Sequence, residues 1–262
     1  MTLYTTLSPL LFKISPETAH RLTIQTLRLV PSVFFPKPYS GSNTLRTLLW
    51  GRNFPNPVGL AAGFDKNAEA VNGLFHLGFG FVEVGTVTVK PQDGNPRPRV
   101  FRCPEHKAVI NRMGFPNSGV ACFKDNLQKF LGKKPRPMGV LGLNIGMNKD
   151  QTDPAKDYTA LVRSLAPMAD YLTINISSPN TPGLRNLQEK EPLTDLLTAV
   201  LAERASSCGD HPPPLLLKLA PDLTDDQLRD IAEVLLTLKI DGVILTNTTL
   251  SRPDTLPTEF AE

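Results

Sequence analysis

The stretch VLGLNIGMNK occupies residues 140–149 and joins a mostly apolar run to a short segment of small and polar residues. The run Val140–Ile145 lacks the strict alternation of a half-exposed strand, as expected for a strand buried on both faces of a parallel sheet. Asn144, Asn148 and Lys149 stand at or just beyond its carboxyl end. A buried strand followed at once by polar residues is typical of α/β proteins, which bind ligands beyond the strand ends.

The same pattern recurs on both sides of this stretch. Further strands are predicted at Val58–Ala62, Phe81–Gly85, Tyr171–Ile176, Leu215–Leu219 and Gly242–Thr246, and helical patterns at Lys66–Leu77, Ala155–Ala169, Pro192–Ala205 and Thr224–Leu238. This alternation predicts an α/β fold with a parallel sheet. A (β/α)8 barrel and a doubly wound open sheet both remain possible, because both place ligands beyond the strand ends. No G-x-G-x-x-G motif follows the first strand, which disfavours a dinucleotide-binding Rossmann unit.

Composition excludes several classes of protein. The 262 residues are 40% hydrophobic and 20% charged, which is ordinary for a soluble chain with a sizeable core. A net charge of +3 is too small to suggest nucleic-acid binding. Cys103, Cys122 and Cys208 lack the spacing of a zinc site or a disulfide framework, so a reducing compartment is expected. Neither a membrane-spanning run nor a secretory signal is recognisable in the sequence.

The charge excess is concentrated near the N-terminus. Residues 1–37 contain Lys13, Arg21, Arg28 and Lys37 against Glu17 alone, so this segment carries the whole balance of +3. Ser15 and Pro16 predict the start of a helix. Its polar stripe is formed by Glu17, Arg21, Gln25 and Arg28, and its apolar positions are Ala19, Leu22, Ile24, Leu27, Leu29 and Val30. Two readings stay open: an amphipathic hairpin at a membrane interface, or a hairpin that simply packs on the domain behind it.

Residues 31–56 are rich in Pro, Gly, Ser and Asn and are typical of a connector. We therefore divide the chain into a helical extension at 1–37, a linker at 38–56 and a barrel at 57–262.

Seven segments make the pattern recognisable. In chain order they are NPVGLAAGFDK (56–66), EVGTVT (83–88), NRMGFPNSG (111–119), LNIGMNK (143–149), NISSPNTPGLR (175–185), KLAPDL (218–223) and TNTT (246–249). Together they resemble the dihydroorotate dehydrogenases, specifically the membrane-associated, quinone-linked class 2. The resemblance runs from about residue 5 to residue 252. The assignment to class 2 rests on two features. The N-terminal extension resembles a quinone-tunnel domain, and the position of the catalytic base holds a serine where class 1 enzymes carry cysteine.

The resemblance implies oxidation of dihydroorotate to orotate in pyrimidine biosynthesis, with FMN accepting the hydride and a quinone accepting the electrons. It implies Ser178 as the catalytic base, with Thr181 and Phe115 beside a water path. A free serine is too weak an acid to serve unaided near neutral pH, so a relay is expected. Flavin contacts are implied at Ala62, Gly63, Phe64, Asp65, Lys66, Thr86, Asn144, Asn175, Lys218 and Thr246. Substrate contacts are implied at Lys66, Asn111, Arg112, Met113, Gly114, Phe115, Asn175, Asn180, Asn247 and Thr248.

These residue types suit the implied ligands. Orotate is a flat anion with two imide-like edges, which side-chain amides can match with paired donors and acceptors. Lys66 and Lys218 could stabilise negative charge at N1 and O2 of a reduced flavin. Lys218 interrupts an apolar run, where a charge is expensive to bury unless it is paired. No metal is implied. The resemblance also implies a peripheral protein at the cytoplasmic face of a bacterial inner membrane.

The six predicted strands begin about 37 residues apart, so the two further strand–helix units of an eight-stranded barrel would need roughly 70 residues, and only 15 follow Asn247. We therefore expect a barrel with about six of its eight strands, in a chain that is incomplete at its C-terminus. Two functions follow as alternatives: the flavoenzyme itself, or a non-catalytic remnant that cannot retain FMN.

Overall fold

The computed structural model describes residues 8–35, 43–181 and 183–254. Its strands are β1 (Thr47–Leu49), β2 (Arg52–Phe54), β3 (Gly59–Leu60), β4 (Phe81–Val87), β5 (Val100–Cys103), β6 (Ala108–Asn111), β7 (Val140–Ile145), β8 (Tyr171–Asn175), β9 (Leu215–Leu219) and β10 (Gly242–Leu245). Its longer helices are α1 (Pro16–Leu29), α2 (Val71–His76), α3 (Gly119–Leu131), α4 (Pro154–Leu165), α5 (Lys190–Cys208) and α6 (Asp225–Thr237). A helical turn at residues 8–11 precedes α1.

The main sheet has six parallel strands in the order β3-β4-β7-β8-β9-β10. Each strand lies beside the previous one of this set, with no reversal of order. A doubly wound sheet reverses its strand order at a switch point, whereas a (β/α)8 barrel does not. The six strands form a curled half-barrel, which confirms the partial barrel and rejects the open sheet.

All six strands predicted from the sequence are present, and β7 and β9 have the predicted bounds. Every residue of β7, β8 and β9 is buried, as a parallel sheet covered on both faces requires. Thr224 begins α6 with a complete capping box, and Asp153 caps α4 ahead of Pro154. Three elements were not predicted: α3, the β5–β6 hairpin and the β1–β2 hairpin.

The predicted helix Lys66–Leu77 is wrong in its first half, because only α2 is helical there. The Asp65 carboxylate accepts hydrogen bonds from the backbone N–H groups of Glu69 (2.9 Å) and Ala70 (2.7 Å). These bonds hold residues 65–70 in a turn that competes with the helix. Lys66 is therefore carried on a loop.

The predicted linker at 38–56 contains the β1–β2 hairpin. Trp50 and Phe54 on this hairpin pack against Tyr171 and Phe81, close to the amino ends of β8 and β4. Phe54 belongs to a small buried cluster with Val140, Tyr171 and Leu216. The hairpin therefore covers the end of the sheet opposite the polar strand ends.

Helix α1 begins as predicted, with Ser15 as its N-cap and Pro16 in its first turn. It packs on the domain: Ile24 and Leu27 are buried in the main core, and α1 crosses α2 at Gly73. The charged stripe also faces the domain in part. Arg21 and Arg28 both bind Glu69, at 2.6 and 3.2 Å. The packing interpretation is thus confirmed for one face of the helix, while Leu22 and Leu29 remain exposed.

Candidate active site

A cavity of about 280 Å³ lies at the carboxyl ends of the parallel strands, and residues in or just after β3, β4, β8, β9 and β10 line it. Since parallel strands present their carboxyl ends on one side of a barrel, residues far apart in sequence meet there. The cavity is lined by Ala62, Gly63, Lys66, Thr86, Asn111, Met113, Gly114, Phe115, Asn175, Ser178, Asn180, Lys218, Asn247 and Thr248. Every one of these residues was singled out in the sequence.

Six other candidates do not line this cavity. The Phe64 ring lies edge-on against His20, and Asp65 is buried under the turn that it caps. Arg112 donates to the Pro98 carbonyl and stacks on Phe101. Asn144 is fully buried beneath the cavity wall, Thr181 is buried in the loop after Ser178, and the Thr246 hydroxyl donates to the Asn247 carbonyl at 3.0 Å.

Lys218 in β9 is 7% exposed and lines the cavity. Within the described residues its ammonium has neither a hydrogen-bond acceptor nor an ion-pair partner. A buried cation without an anion is costly, and a negatively charged ligand group would offset that cost. Lys218 therefore marks where a ligand carries negative charge.

Lys66 enters the cavity from the loop after β3 and donates to the Gly63 carbonyl at 2.5 Å. Burial, helped by the nearby Arg99 guanidinium, lowers the pKa of Lys66 from 10.5 to about 8. The group is thus charged at neutral pH but titrates only slightly above it. An anion bound beside it would favour the protonated form.

Ser178 lies in the loop after β8 and is 4% exposed, with its side chain at the cavity. Its Oγ accepts a hydrogen bond from the backbone N–H of Asn180 at 3.2 Å. The Asn180 side chain in turn donates to Asn111 Oδ1 at 3.4 Å, which joins this loop to the end of β6. A hydroxyl and two amides therefore face the same space.

A row of hydrogen bonds links other cavity residues across the strand ends. Asn247 Nδ2 donates to Ser177 Oγ at 3.1 Å, and Ser177 Oγ donates to Asn175 Oδ1 at 2.9 Å. Asn175 Nδ2 donates to Thr86 Oγ1 at 2.9 Å. The amides that line the cavity are thus held in fixed orientations by buried partners.

Three residues of this region were not among the predicted site residues: Ser177, His20 and Glu83. Ser177 belongs to the row of hydrogen bonds, and His20 on α1 contacts the Phe64 carbonyl. Glu83 is buried in β4, where Asn144 and Thr173 donate to its carboxylate. Its signal was available, because Glu83 interrupts an apolar strand just as Lys218 does.

The fold and the cavity define a β/α-barrel protein with a polar, lysine-bearing ligand site at the carboxyl ends of its strands. The family model for dihydroorotate dehydrogenase matches residues 44–259. The chain is 53% identical over 253 residues to a dihydroorotate dehydrogenase (quinone) of Rhodospirillum rubrum, covering 97% of this chain and 67% of the relative. It is 52% identical over 247 residues to the protein of that name from Rhodopseudomonas palustris strain HaA2, covering 93% and 65%.

Solved structures agree with these sequence matches. A crystal structure of the Eimeria tenella dihydroorotate dehydrogenase with ferulenol superposes with a TM-score of 0.86 at 40% identity, covering 95% of this chain and 73% of that one. The ligand-free form from the same organism gives 0.85 at 42% identity, covering 93% and 72%. The chain belongs to the dihydroorotate dehydrogenase family. It spans about two thirds of the length of the curated relatives that it matches.

Proposed function

We propose that this chain acts in the oxidation of dihydroorotate to orotate in pyrimidine biosynthesis, with FMN as hydride acceptor and a membrane quinone as electron acceptor. One observation carries the proposal: a buried hydroxyl, several amides and two lysines converge on one cavity at the strand ends. The names of the matched relatives add the reaction and the quinone.

The cavity fits a flat, anionic cofactor beside a flat, anionic substrate. Gly63 has a φ of +106°, and no atom lies within 4 Å of the position that a Cβ would take, so a planar group can approach the backbone there. The unpartnered Lys218 supplies positive charge. Ala62, Gly63, Lys66, Thr86, Asn175 and Lys218 would hold the isoalloxazine ring. When bound, FMN supplies the acceptor for the hydride.

Ser178 is the proposed general base that removes the substrate proton. Its buried position limits the water around the hydroxyl, and the Asn180 N–H stabilises negative charge that develops on Oγ. That stabilisation makes the hydroxyl easier to deprotonate, as a serine base requires. Thr181 and Phe115 remain the proposed neighbours of a water path.

Substrate recognition would use the amides of Asn111, Asn175, Asn180 and Asn247. Side-chain amides offer both donors and acceptors, which matches the alternating N–H and C=O groups of the substrate ring. Lys66 would attract the substrate carboxylate from the edge of the cavity. Gly114 and Phe115, with Met113 and Thr248, would complete the walls.

We also propose that residues 8–35 dock on a membrane surface and receive the quinone. Seven of the nineteen exposed large hydrophobic side chains in the described ranges belong to this short segment. Arg21 and Arg28 lie half-exposed beside them and could meet anionic lipid headgroups. Within the part of the chain that the structure describes, no helix has the length and hydropathy of a membrane span. The proposed location is the cytoplasmic face of the bacterial inner membrane, with peripheral attachment.

A visible absorption spectrum of the purified chain tests the proposal directly. Flavin bands near one FMN per chain, bleached by dihydroorotate without oxygen and restored by a soluble quinone, would support it. A colourless protein that takes up no added FMN would instead favour the alternative, a remnant without catalytic function. Flavin that dihydroorotate fails to bleach would contradict the proposed substrate.

A further inference from the structure

Glu83 is a buried carboxylate with donors on both oxygens. It is 3% exposed in β4, where Asn144 Nδ2 of β7 donates to Oε1 at 2.8 Å and Thr173 Oγ1 of β8 donates to Oε2 at 2.9 Å. The Tyr171 hydroxyl also interacts with it, and burial together with this carboxylate raises the pKa of Tyr171. Tyr171 finds room because its ring lies over Gly142, where a Cβ would come within 2.1 Å of Cζ.

The carboxylate determines how the Asn144 amide is turned. Asn144 directs its NH₂ group towards Glu83, where the carboxylate oxygen accepts the hydrogen bond. Its Oδ1 is then directed towards Thr86 Oγ1, at 2.6 Å, and Asn175 Nδ2, at 3.2 Å. Since the Thr86 hydroxyl donates to Asn144, its lone pair is left to accept from Asn175 Nδ2.

The row continues in one direction as far as the cavity. Asn175 Oδ1 accepts from the backbone N–H and the hydroxyl of Ser177, at 3.3 and 2.9 Å. Ser177 Oγ therefore accepts from Asn247 Nδ2, and Asn247 Oδ1 accepts from the Thr248 backbone N–H at 2.8 Å. Backbone N–H groups, which only donate, hold one end of the row, and the Glu83 carboxylate holds the other.

We propose that Glu83 is a positioning residue that sets the orientation of the Asn144 amide and thereby helps to hold Thr86 and Asn175 of the cavity wall in the arrangement that meets the ligand. Within the described residues no backbone N–H donates to the side chain of Asn144 or Thr86, so the Glu83 carboxylate and the Asn175 amide together hold their orientation. The orienting role stands on geometry, whereas its consequence for ligand binding rests on the proposed function.

Three substitutions separate this role from simple structural support. Glu83→Met removes the acceptor while keeping the side-chain length, which frees the Asn144 amide. Thr173→Val is the matched control, because it removes the other donor on the same carboxylate and leaves Asn144 bound. Glu83→Gln is the conservative variant: its oxygen can accept from Asn144 while its NH₂ group donates to Thr173.

NMR of asparagine-labelled protein measures hydrogen exchange at the side-chain NH₂ groups, which reports whether the Asn144 and Asn175 amides are held in place, and it needs no ligand. Removing the acceptor of a buried donor should speed hydrogen exchange at the Asn144 and Asn175 NH₂ groups about tenfold or more in Glu83→Met. Thr173→Val and Glu83→Gln should exchange close to the parental rate. Parental exchange in Glu83→Met would overturn the proposal, as would an equal increase in Thr173→Val or in Glu83→Gln.

Should Glu83→Met fail to fold, Thr86→Val tests the same row further along. It removes the hydroxyl that accepts from Asn175 Nδ2, so the Asn175 NH₂ group loses one of its two acceptors and should exchange faster, while Asn144, still bound to Glu83, stays protected. Unchanged exchange at Asn175 would show that the row transmits no orientation and would overturn the proposal.

Ligand titration separates this inference from the proposed function. FMN binding followed by fluorescence quenching should weaken about tenfold in Glu83→Met and stay near parental in Thr173→Val. If the parent chain bound no FMN while the exchange rates changed as expected, the proposed function would fail and the orienting role would stand. If FMN bound equally to all variants and the exchange rates were equal too, the orienting role would fail.

Discussion

His20 Nε2 on α1 lies 2.6 Å from the carbonyl oxygen of Phe64, in the loop that carries Lys66 into the cavity. The two rings meet edge-on with centroids 5.1 Å apart. Burial, followed by the nearby Lys66 ammonium, lowers the pKa of His20. The position of α1 is thus tied to the cavity loop through a direct contact, and Glu69 at the end of the same loop adds the ion pairs to Arg21 and Arg28.

Gly73→Ala should loosen α1. A Cβ at Gly73 would lie 2.2 Å from the Leu27 carbonyl oxygen, and backbone atoms cannot yield as a flexible side chain can. We expect the free energy of unfolding to fall by about 1–3 kcal/mol, as for overpacking elsewhere, with faster proteolysis within α1. Gly132→Ala is the control, since its Cβ would stay 3.3 Å from the Gln128 carbonyl oxygen. A parental melting temperature in Gly73→Ala would show that α1 does not need this close approach.

Ser178→Ala should keep bound flavin but slow its reduction by dihydroorotate by about 10²–10⁴-fold, the usual contribution of a general base. Ser178→Cys should keep measurable activity, because a thiolate can accept the same proton. Stopped-flow bleaching of the flavin without oxygen measures both variants. Normal reduction in Ser178→Ala would mean that another group removes the proton.

Lys218→Met should lower the midpoint potential of the flavin, because the unpartnered ammonium stabilises the negative charge of the reduced ring. Lys66→Met should act in the same direction and also weaken orotate binding, since Lys66 lies beside the proposed carboxylate site. Spectroelectrochemical titration measures the potential, and orotate difference spectra measure the affinity. Unchanged potentials in both variants would place these lysines away from the flavin.

The parallel strands were predictable because mostly apolar runs such as Leu215–Leu219 are typical of strands buried on both faces of a parallel sheet. The carboxyl ends of such strands lie on the same side of the sheet, so the polar residues that follow them were expected to come together. The turn that replaces the first half of the predicted helix 66–77 was not predictable. Asp65 was expected to contact the flavin, but its carboxylate accepts hydrogen bonds from the backbone of the turn before α2. The β1–β2 hairpin was missed because its three-residue strands carry no clear periodicity. Glu83 stands out as a charge within an apolar strand, but its role was not predictable because its partners lie 61 and 90 residues away along the chain.

The depressed pKa of Lys66 predicts a pH dependence. Orotate affinity should fall as pH rises through about 8, by up to about tenfold per unit, because the ammonium then loses its proton. Between about 8 and 10.5 the folded chain holds fewer protons at this site than the unfolded chain, so the contribution of Lys66 to the free energy of unfolding rises with pH.

Lys66→Arg provides the control for this dependence, because a guanidinium stays protonated throughout the range. Its orotate affinity should be flat where the parental affinity falls. Titration of orotate at several pH values, with the flavin spectrum as the readout, makes the comparison. An equal fall in Lys66→Arg would assign the pH dependence to another group.

The exposed apolar surface of residues 8–35 predicts membrane binding that depends on individual side chains. Leu29, Val33 and Phe34 are 75%, 81% and 77% exposed, and none of them takes part in the ion pairs to Glu69. Reversing Arg21 and Arg28 to Glu would also undo those ion pairs, so the apolar positions give the cleaner test. Replacing all three by Ser should weaken binding to vesicles containing phosphatidylglycerol at least about tenfold, since each buried apolar side chain contributes on the order of 1–2 kcal/mol.

The matched control replaces three equally exposed residues outside this segment, Leu48, Met138 and Leu236, by Ser. Co-sedimentation with vesicles should then show parental binding. Bleaching of the flavin by dihydroorotate without oxygen should stay close to parental in both triple variants, because neither alters the cavity. If the two triple variants bound vesicles equally well, residues 8–35 would not form the membrane surface, and the exposed face of α1 would need a different partner.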